Sequence, residues 1–139
     1  MSGDQEQRVR DAMLANPHPL EASATAQEAG EALMRPEVRA VLVCDGGDFV
    51  GVITRKTLVR EVVARGLDPR TTTVREFAEA PNATIDSDMP LTAAFAFLEE
   101  QDFERVPVVD HGKLVGVLSR SSVQRRLAED DPPPPESED

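Results

Sequence analysis

The sequence predicts a mixed α/β (α+β) fold of two pseudo-symmetric β-α-β-β-α repeats packed through small sheets. Three observations carry the prediction. FVGVITRKT at 49–57 returns as LVGVLSRSS at 114–122, an offset of 65 residues. The offset holds without a gap from Val9 to Arg125: Val9-Arg10-Asp11 meets Val74-Arg75-Glu76, Val41 and Val43 meet Val106 and Val108, and Arg60 meets Arg125. Within each period, one helical pattern precedes two short β-branched runs. Self-similarity at a fixed period marks duplicated supersecondary units.

Each repeat opens on a helical or extended leading segment, VRDAM or VREFA. A loop of turn formers follows, ANPHPL or APNATI. Next comes a helix, AQEAGEALM in the first repeat and LTAAFAFLEE in the second. In the second, Leu91, Ala94, Phe95 and Leu98 share one face at helical spacing. VRAVLVC and FERVPVVD are first strands, apolar almost throughout. Asp45-Gly46-Gly47 and Asp110-His111-Gly112 supply tight turns into the second strands, FVGVIT and LVGVLS. Thr54 and Ser119 end those strands and are expected to cap helices over 55–65 and 120–129. Gly66 can stop the first of these helices, and Pro69 forbids its continuation. The organisation is therefore a segment 1–8, repeats 9–65 and 73–128, a linker 66–72 and a tail 129–139.

Composition narrows the function. The chain has 139 residues, 40% of them hydrophobic, which suits one domain or two halves sharing a core. With five Phe and no Trp or Tyr, that core rests on Val, Leu, Ile and Ala. No run approaches the roughly 20 apolar residues of a membrane span, and MSGDQEQRVRD lacks the apolar run of a signal peptide. One cysteine, Cys44, excludes an internal disulfide. A cytoplasmic protein is expected, and the Ala, Arg and Pro bias suits a high-GC bacterial genome. The net charge is −11, with six acids and no base in the final EDDPPPPESED. An acidic body argues against nucleic acid, whose binding rests on Lys and Arg neutralising phosphates. The tail suits a disordered, solubilising terminus, or alternatively a proline-rich docking peptide.

A strand, an Asp-Gly turn, a second strand, then G-h-h-[ST]-x-x and a helix, all duplicated, resembles the CBS domain pair, or Bateman module. The residues that carry the resemblance are VRDAM, RVPVVD, GVITRKT and GVLSRSS, and it spans about Val9 to Leu127. It implies two clefts between the repeats that hold AMP, ADP, ATP or S-adenosylmethionine. It also implies dimers formed through the helices and control of a downstream protein partner. Carried onto this chain, one cleft takes Pro19, Leu20, Ala40 and Val41 with Ser119 and Ser122. The other takes Thr84, Ile85, Val106 and Pro107 with Thr54 and Thr57, and Arg105 matches a phosphate-facing position. The family's motif ends in an Asp that chelates the ribose hydroxyls. Thr57 and Ser122 stand there, so both clefts lack that clamp. A hydroxyl is a weaker diol partner than a carboxylate, and one charge-assisted hydrogen bond is worth roughly 1.5–3 kcal/mol.

Arg55 and Lys56 fall in a helix's first turn, where positive charge opposes the dipole. Either a phosphate near Lys56 and Arg105 accounts for them, or both reach solvent. His18 and His111 have no second ligand nearby in the sequence, so no metal is expected. Cys44, in an apolar strand, is expected to be an inert core thiol. No P-loop, GxSxG or paired-carboxylate pattern suggests an enzyme. Leu58, Val59, Val62 and Val63 form a wider apolar stripe than one small sheet needs, which points to a homodimer. Two readings remain: a regulatory sensor of an adenosine-type or related anionic metabolite, and a structural or dimerisation module with vestigial clefts.

Overall fold

The computed structural model describes residues 6–130; residues 1–5 and the proline-rich part of the tail lie outside them. In chain order the elements are α1 (Val9–Ala12), β1 (Leu14–Ala15), β2 (Leu20–Glu21), α2 (Ala26–Ala32), β3 (Val41–Asp45), β4 (Asp48–Ile53) and α3 (Arg55–Leu58). A π-helical turn (Val59–Val63) and a 3-10 turn (Val74–Glu76) follow. Then come β5 (Ile85–Asp86), α4 (Leu91–Gln101), β6 (Arg105–Asp110), β7 (Lys113–Ser119) and α5 (Arg120–Asp130). The fold is thus mixed α+β and built of two repeats, as the offset predicts.

Local chemistry explains the element boundaries. Both expected turns are two-residue hairpins with positive φ at each central position: 62° and 96° at Gly46 and Gly47, 54° and 81° at His111 and Gly112. Such turns match the twist of the flanking strands. Thr25 and Glu28 form a reciprocal capping box at the start of α2. Both leading segments are short helical turns, each held by an acid three residues inside. The Arg8 amide donates to Asp11 at 2.8 Å and the Thr73 amide to Glu76 at 2.9 Å. The helix expected over 55–65 differs from the expectation. After Leu58 it widens into a π turn, with Ala64 N donating to Val59 O at 2.8 Å. Three β-branched valines in five residues crowd a tighter turn. Gly66, at φ 69°, ends the helix.

The chain folds into two compact units that do not coincide with the sequence repeats. The first holds residues 17–82 and 111–114; the second holds 6–16, 83–110 and 115–130. Residues 111–114 belong to the first because Lys113 lies in register with Asp48, their ion pair measuring 2.9 Å. The leading segments are exchanged. In the second unit, Val9 N donates to Met89 O, Arg10 N to Ser87 O and Leu91 N to Gln7 O. In the first, Val74 N donates to Ala24 O, Arg75 N to Ala22 O and Ala26 N to Thr72 O. Every bond in one set maps onto one in the other by the 65-residue offset. VREFA therefore completes the first unit and VRDAM the second.

This exchange explains the glycine in both copies of the echo. In the first unit, Val52 and Glu79 trade backbone hydrogen bonds of 2.8 and 2.9 Å across Gly51. A Cβ on Gly51 would sit 2.9 Å from Ala78 Cβ and from the Glu79 carbonyl oxygen. In the second, β1 pairs with β7 over Gly116, whose Cβ would sit 2.8 Å from the Leu14 carbonyl oxygen. Only a hydrogen side chain lets the backbones approach this closely.

Each unit has its own core. In the first, Ala26, Ala29 and Leu33 of the α2 region pack on Val41, Val43, Ile53, Val62, Val74 and Phe77. In the second, Leu91, Ala94 and Leu98 of α4 pack on Val9, Ile85, Val106, Val108, Leu118 and Val123. Phe95 is partly buried beside them, as the helical spacing predicts. The central parallel pairings repeat in register, Leu20 with Val43 and Ile85 with Val108.

Candidate functional site

The residues of each expected cleft are divided between the two units. The first unit holds the Thr54 turn. Thr54 caps α3, its side chain accepting from Thr57 N at 3.2 Å. The exchange is reciprocal, since Thr57 Oγ1 accepts from Thr54 N at 3.1 Å. The two hydroxyl oxygens lie 2.9 Å apart, and Thr57 donates its proton to Glu79 Oε1 at 3.2 Å. With Thr54 as donor in the hydroxyl pair, Thr57 uses its one donor and both lone pairs. Its side chain is fully buried. Thr57 thus cross-links strand end, helix and the exchanged leading segment, with no surface left for a ligand. Glu79 is the partly exposed group at this position, and its other carboxylate oxygen pairs with Arg60.

The two first-turn cations separate. Arg55 donates to the carbonyl oxygens of Leu33 at 2.6 Å and Arg35 at 2.8 Å, just beyond α2. Leu33 is the C-cap of α2 and Arg35 O also accepts from Val38 N, so Arg55 has a structural partner that no local pattern reveals. Lys56 is exposed. In the same unit, Val41 is buried at the start of β3, Pro19 and Leu20 are half-buried, and Ala40 is exposed.

The second unit repeats the cap with different support. Ser119 Oγ accepts from Ser122 N at 3.2 Å and donates to Ser122 Oγ at 2.9 Å. Ser122 is half-buried, and its neighbour is a cation: Arg125 approaches it at 3.5 Å. Arg120, the counterpart of Arg55, pairs with Glu104 at 2.7 Å and Asp102 at 3.5 Å. Ile85 and Val106 are buried, Pro107 is half-buried, and Thr84 and Arg105 are exposed. A polar groove of about 340 Å³ runs beside Ser122, lined by Asp11, Arg125, Arg126 and Glu129.

Other candidates fall away from any chemistry. Cys44 is buried, and that burial pushes its thiol above the ordinary range, with Glu21 and Asp48 adding to the effect. A protonated buried thiol is unreactive. Among the described residues, no group of three His, Cys, Asp or Glu is placed to hold a metal ion, and no helix is long and apolar enough to cross a membrane. A second surface was foreshadowed by the valine stripe. A groove of about 390 Å³ between α2 and the helix after Thr54 is lined by apolar groups including Gly30, Met34, Leu58 and Val63. Met34, Val59 and Val63 are 78%, 58% and 69% exposed. The offset places Glu99, Gln124 and Ala128 at the matching positions of the second unit.

Two capped strand-turn-helix units with exchanged leading segments define a duplicated α+β module. The family profile of the CBS domain matches residues 9–64 and again 74–129. The chain belongs to the CBS domain family. It is 28% identical over 106 residues to Hypoxic response protein 1 of Mycobacterium tuberculosis, covering 76% of this chain and 74% of that one. It is 26% identical over 111 residues to the CBS domain-containing protein YhcV of Bacillus subtilis, covering 80% and 79%. Among solved structures, it matches Hypoxic Response Protein I with two coordinated zinc ions at TM-score 0.71, with 26% identity, covering 86% of this chain and 98% of that one. It also matches CBSX2 in complex with AMP at TM-score 0.69, with 26% identity, covering 89% and 98%.

Proposed function

We propose that the protein is a regulatory module that senses an adenosine-type nucleotide or related anionic metabolite and modulates a protein partner. It works without catalysis, in the cytoplasm. The supporting observation is the duplicated turn. Both repeats keep the family's strand, hydroxyl cap and helix, with cap hydrogen bonds of 3.2 Å at Thr54 and Ser119 alike. The AMP complex of a structural neighbour indicates the ligand class. Lys56 and Arg105, both exposed, are the cations proposed to meet phosphate, with half-buried Leu20 and Pro107 as proposed apolar contacts.

A ligand that binds only the folded state stabilises it by about 2.7 kcal/mol at a hundred times its Kd. The purified protein should therefore melt higher with at least one of AMP, ADP, ATP or S-adenosylmethionine. Replacing Lys56 and Arg105 together should remove the shift. No shift with any of the four at millimolar concentration would overturn the adenosine-type reading.

The alternative is a structural or dimerisation module, which the exposed Met34, Val59 and Val63 favour. In both readings that face supports a homodimer built on the first unit, since the second carries Glu99 and Gln124 in place of Met34 and Val59.

A further inference from the structure

We infer that the second unit holds a site for a free α-amino acid with an apolar side chain, in the groove between α1 and α5. The site is independent of the nucleotide reading. Every residue lining it lies in the second unit, so it is distinct from the clefts expected between the repeats. Ser122, Arg125, Arg126 and Glu129 are spaced i, i+3, i+4 and i+7, which puts them on one face of α5 over about 10 Å. Residues 11–13, at the end of α1, complete the lining. The first unit closes the same place. At the 65-residue offset Ala12 corresponds to Phe77, which is buried in the core. Arg125 corresponds to Arg60, which pairs with Glu79 and Glu61, and Ser122 to Thr57, whose proton goes to Glu79. In the second unit Leu14 and Arg126 stand where Glu79 and Glu61 would be, so both of those carboxylates are gone. Glu129, in place of Ala64, brings a carboxylate one turn further along.

The groove therefore carries donors and acceptors that the protein does not use. Ser122 Oγ accepts from the Ser119 hydroxyl at 2.9 Å and is approached by Arg125 at 3.5 Å, so its own proton is left to give. Arg126 is held by Nε donating to Gln7 Oε1 at 3.0 Å, which leaves its terminal nitrogens. Two guanidinium groups and a hydroxyl suit a carboxylate. The acceptors are Glu129 and Asp11 Oδ1, Oδ2 of Asp11 being taken by the Arg8 amide at 2.8 Å. Among the described residues, no carboxylate pairs with Arg125 or Arg126, and no cation pairs with Glu129. A purely anionic ligand would meet Asp11 and Glu129, and a purely cationic one would meet both arginines. A molecule with one charge of each sign satisfies all four. Glu129 lies one helical turn from the arginines, roughly 5–6 Å between Cβ atoms, so the two charges must sit close together, as on one α-carbon. Ala12 and Met13 leave an apolar wall for the side chain.

The test is an amide chemical-shift titration of the intact protein with three probes: L-leucine, 4-methylpentanoate, which lacks the ammonium, and 3-methylbutylamine, which lacks the carboxylate. L-Leucine should bind saturably at millimolar concentration and shift Gln7 and residues 11–13 and 122–129. Each analogue should bind about tenfold or more weakly, since each loses one charge-assisted contact. Arg125→Gln and Glu129→Gln, both at exposed positions, should each weaken L-leucine by about tenfold. Arg125→Gln should not weaken 3-methylbutylamine, and Glu129→Gln should not weaken 4-methylpentanoate. Ala12→Phe, which installs the first unit's residue, should abolish binding; the two charge variants keep the test decisive if that protein does not fold. No saturable shift with L-leucine, equal affinity for L-leucine and either analogue, shifts centred outside these residues, or L-leucine affinity unchanged in both charge variants would each overturn the inference and leave the nucleotide reading standing. Failure of every adenine nucleotide to raise the melting temperature would overturn that reading and leave this one standing.

Discussion

Restoring the family's aspartate at position 57 should damage the protein. Thr57→Asp places a carboxylate where a fully buried hydroxyl now donates to Glu79 at 3.2 Å. The charge-assisted hydrogen bond is lost, at roughly 1.5–3 kcal/mol. Two like charges at that separation repel by about 5 kcal/mol at an effective dielectric of about 20. Arg60 offsets part of this through its ion pair with Glu79. A net loss of several kcal/mol is expected, a large share of the roughly 5–15 kcal/mol that holds a domain together. Urea denaturation at pH 7.5 measures it. Lowering the pH should narrow the gap, because one bound proton relieves a pair of facing carboxylates. Adding Glu79→Leu, the residue found at Leu14, removes the opposing charge and leaves Arg60 to meet the new one. The double variant should therefore recover more than half of the loss. A Thr57→Asp protein within about 1 kcal/mol of wild type, or a loss unaffected by Glu79→Leu, would refute this account of the turn.

Three further outcomes are expected. Gly51→Ala should lose about 1–3 kcal/mol in urea denaturation, since its Cβ meets the Ala78–Glu79 backbone; unchanged stability would show that the exchanged segment is loosely held. The wild type is expected to be a dimer by light scattering and Val63→Glu a monomer, whereas Ala128→Glu at the matching place in the second unit should leave the dimer intact; a monomeric wild type would refute the homodimer, and a dimer surviving the first change would move the interface elsewhere. The Cys44 thiol should react with a disulfide reagent only through unfolding, so urea should accelerate it sharply. Because burial raises this thiol, its contribution to stability is complete below about pH 8.5 and is lost as pH climbs through the raised native value.

Much of the architecture is local and therefore visible in the chain. Positive φ at Gly46, Gly47 and Gly112, the hydroxyl caps at Thr54 and Ser119, and the Leu91–Leu98 stripe each depend on neighbours a few residues away. The valine stripe also foreshadowed the exposed face, though not its widening into a π turn. The candidate site was less legible. Its ligand chemistry was sought at Thr57, whereas Thr57 is buried and Glu79, 22 residues later, holds the carboxylate. Arg55 suggested phosphate, but it donates to two carbonyl oxygens at the end of α2. Backbone carbonyls leave no mark in residue identity.

By itself the sequence determined the duplication, its 65-residue period, the turns and the caps, because each is written in short-range steric and hydrogen-bonding preferences. Only the tertiary structure decided which leading segment completes which unit. The two segments are near copies and sit at the same offset from near copies of the same strand, so self-pairing and exchange are equivalent on paper. Their backbone hydrogen bonds break the tie. That exchange carries Glu79 to Thr57 and Leu14 to the matching place beneath β7, and so makes two similar turns chemically different.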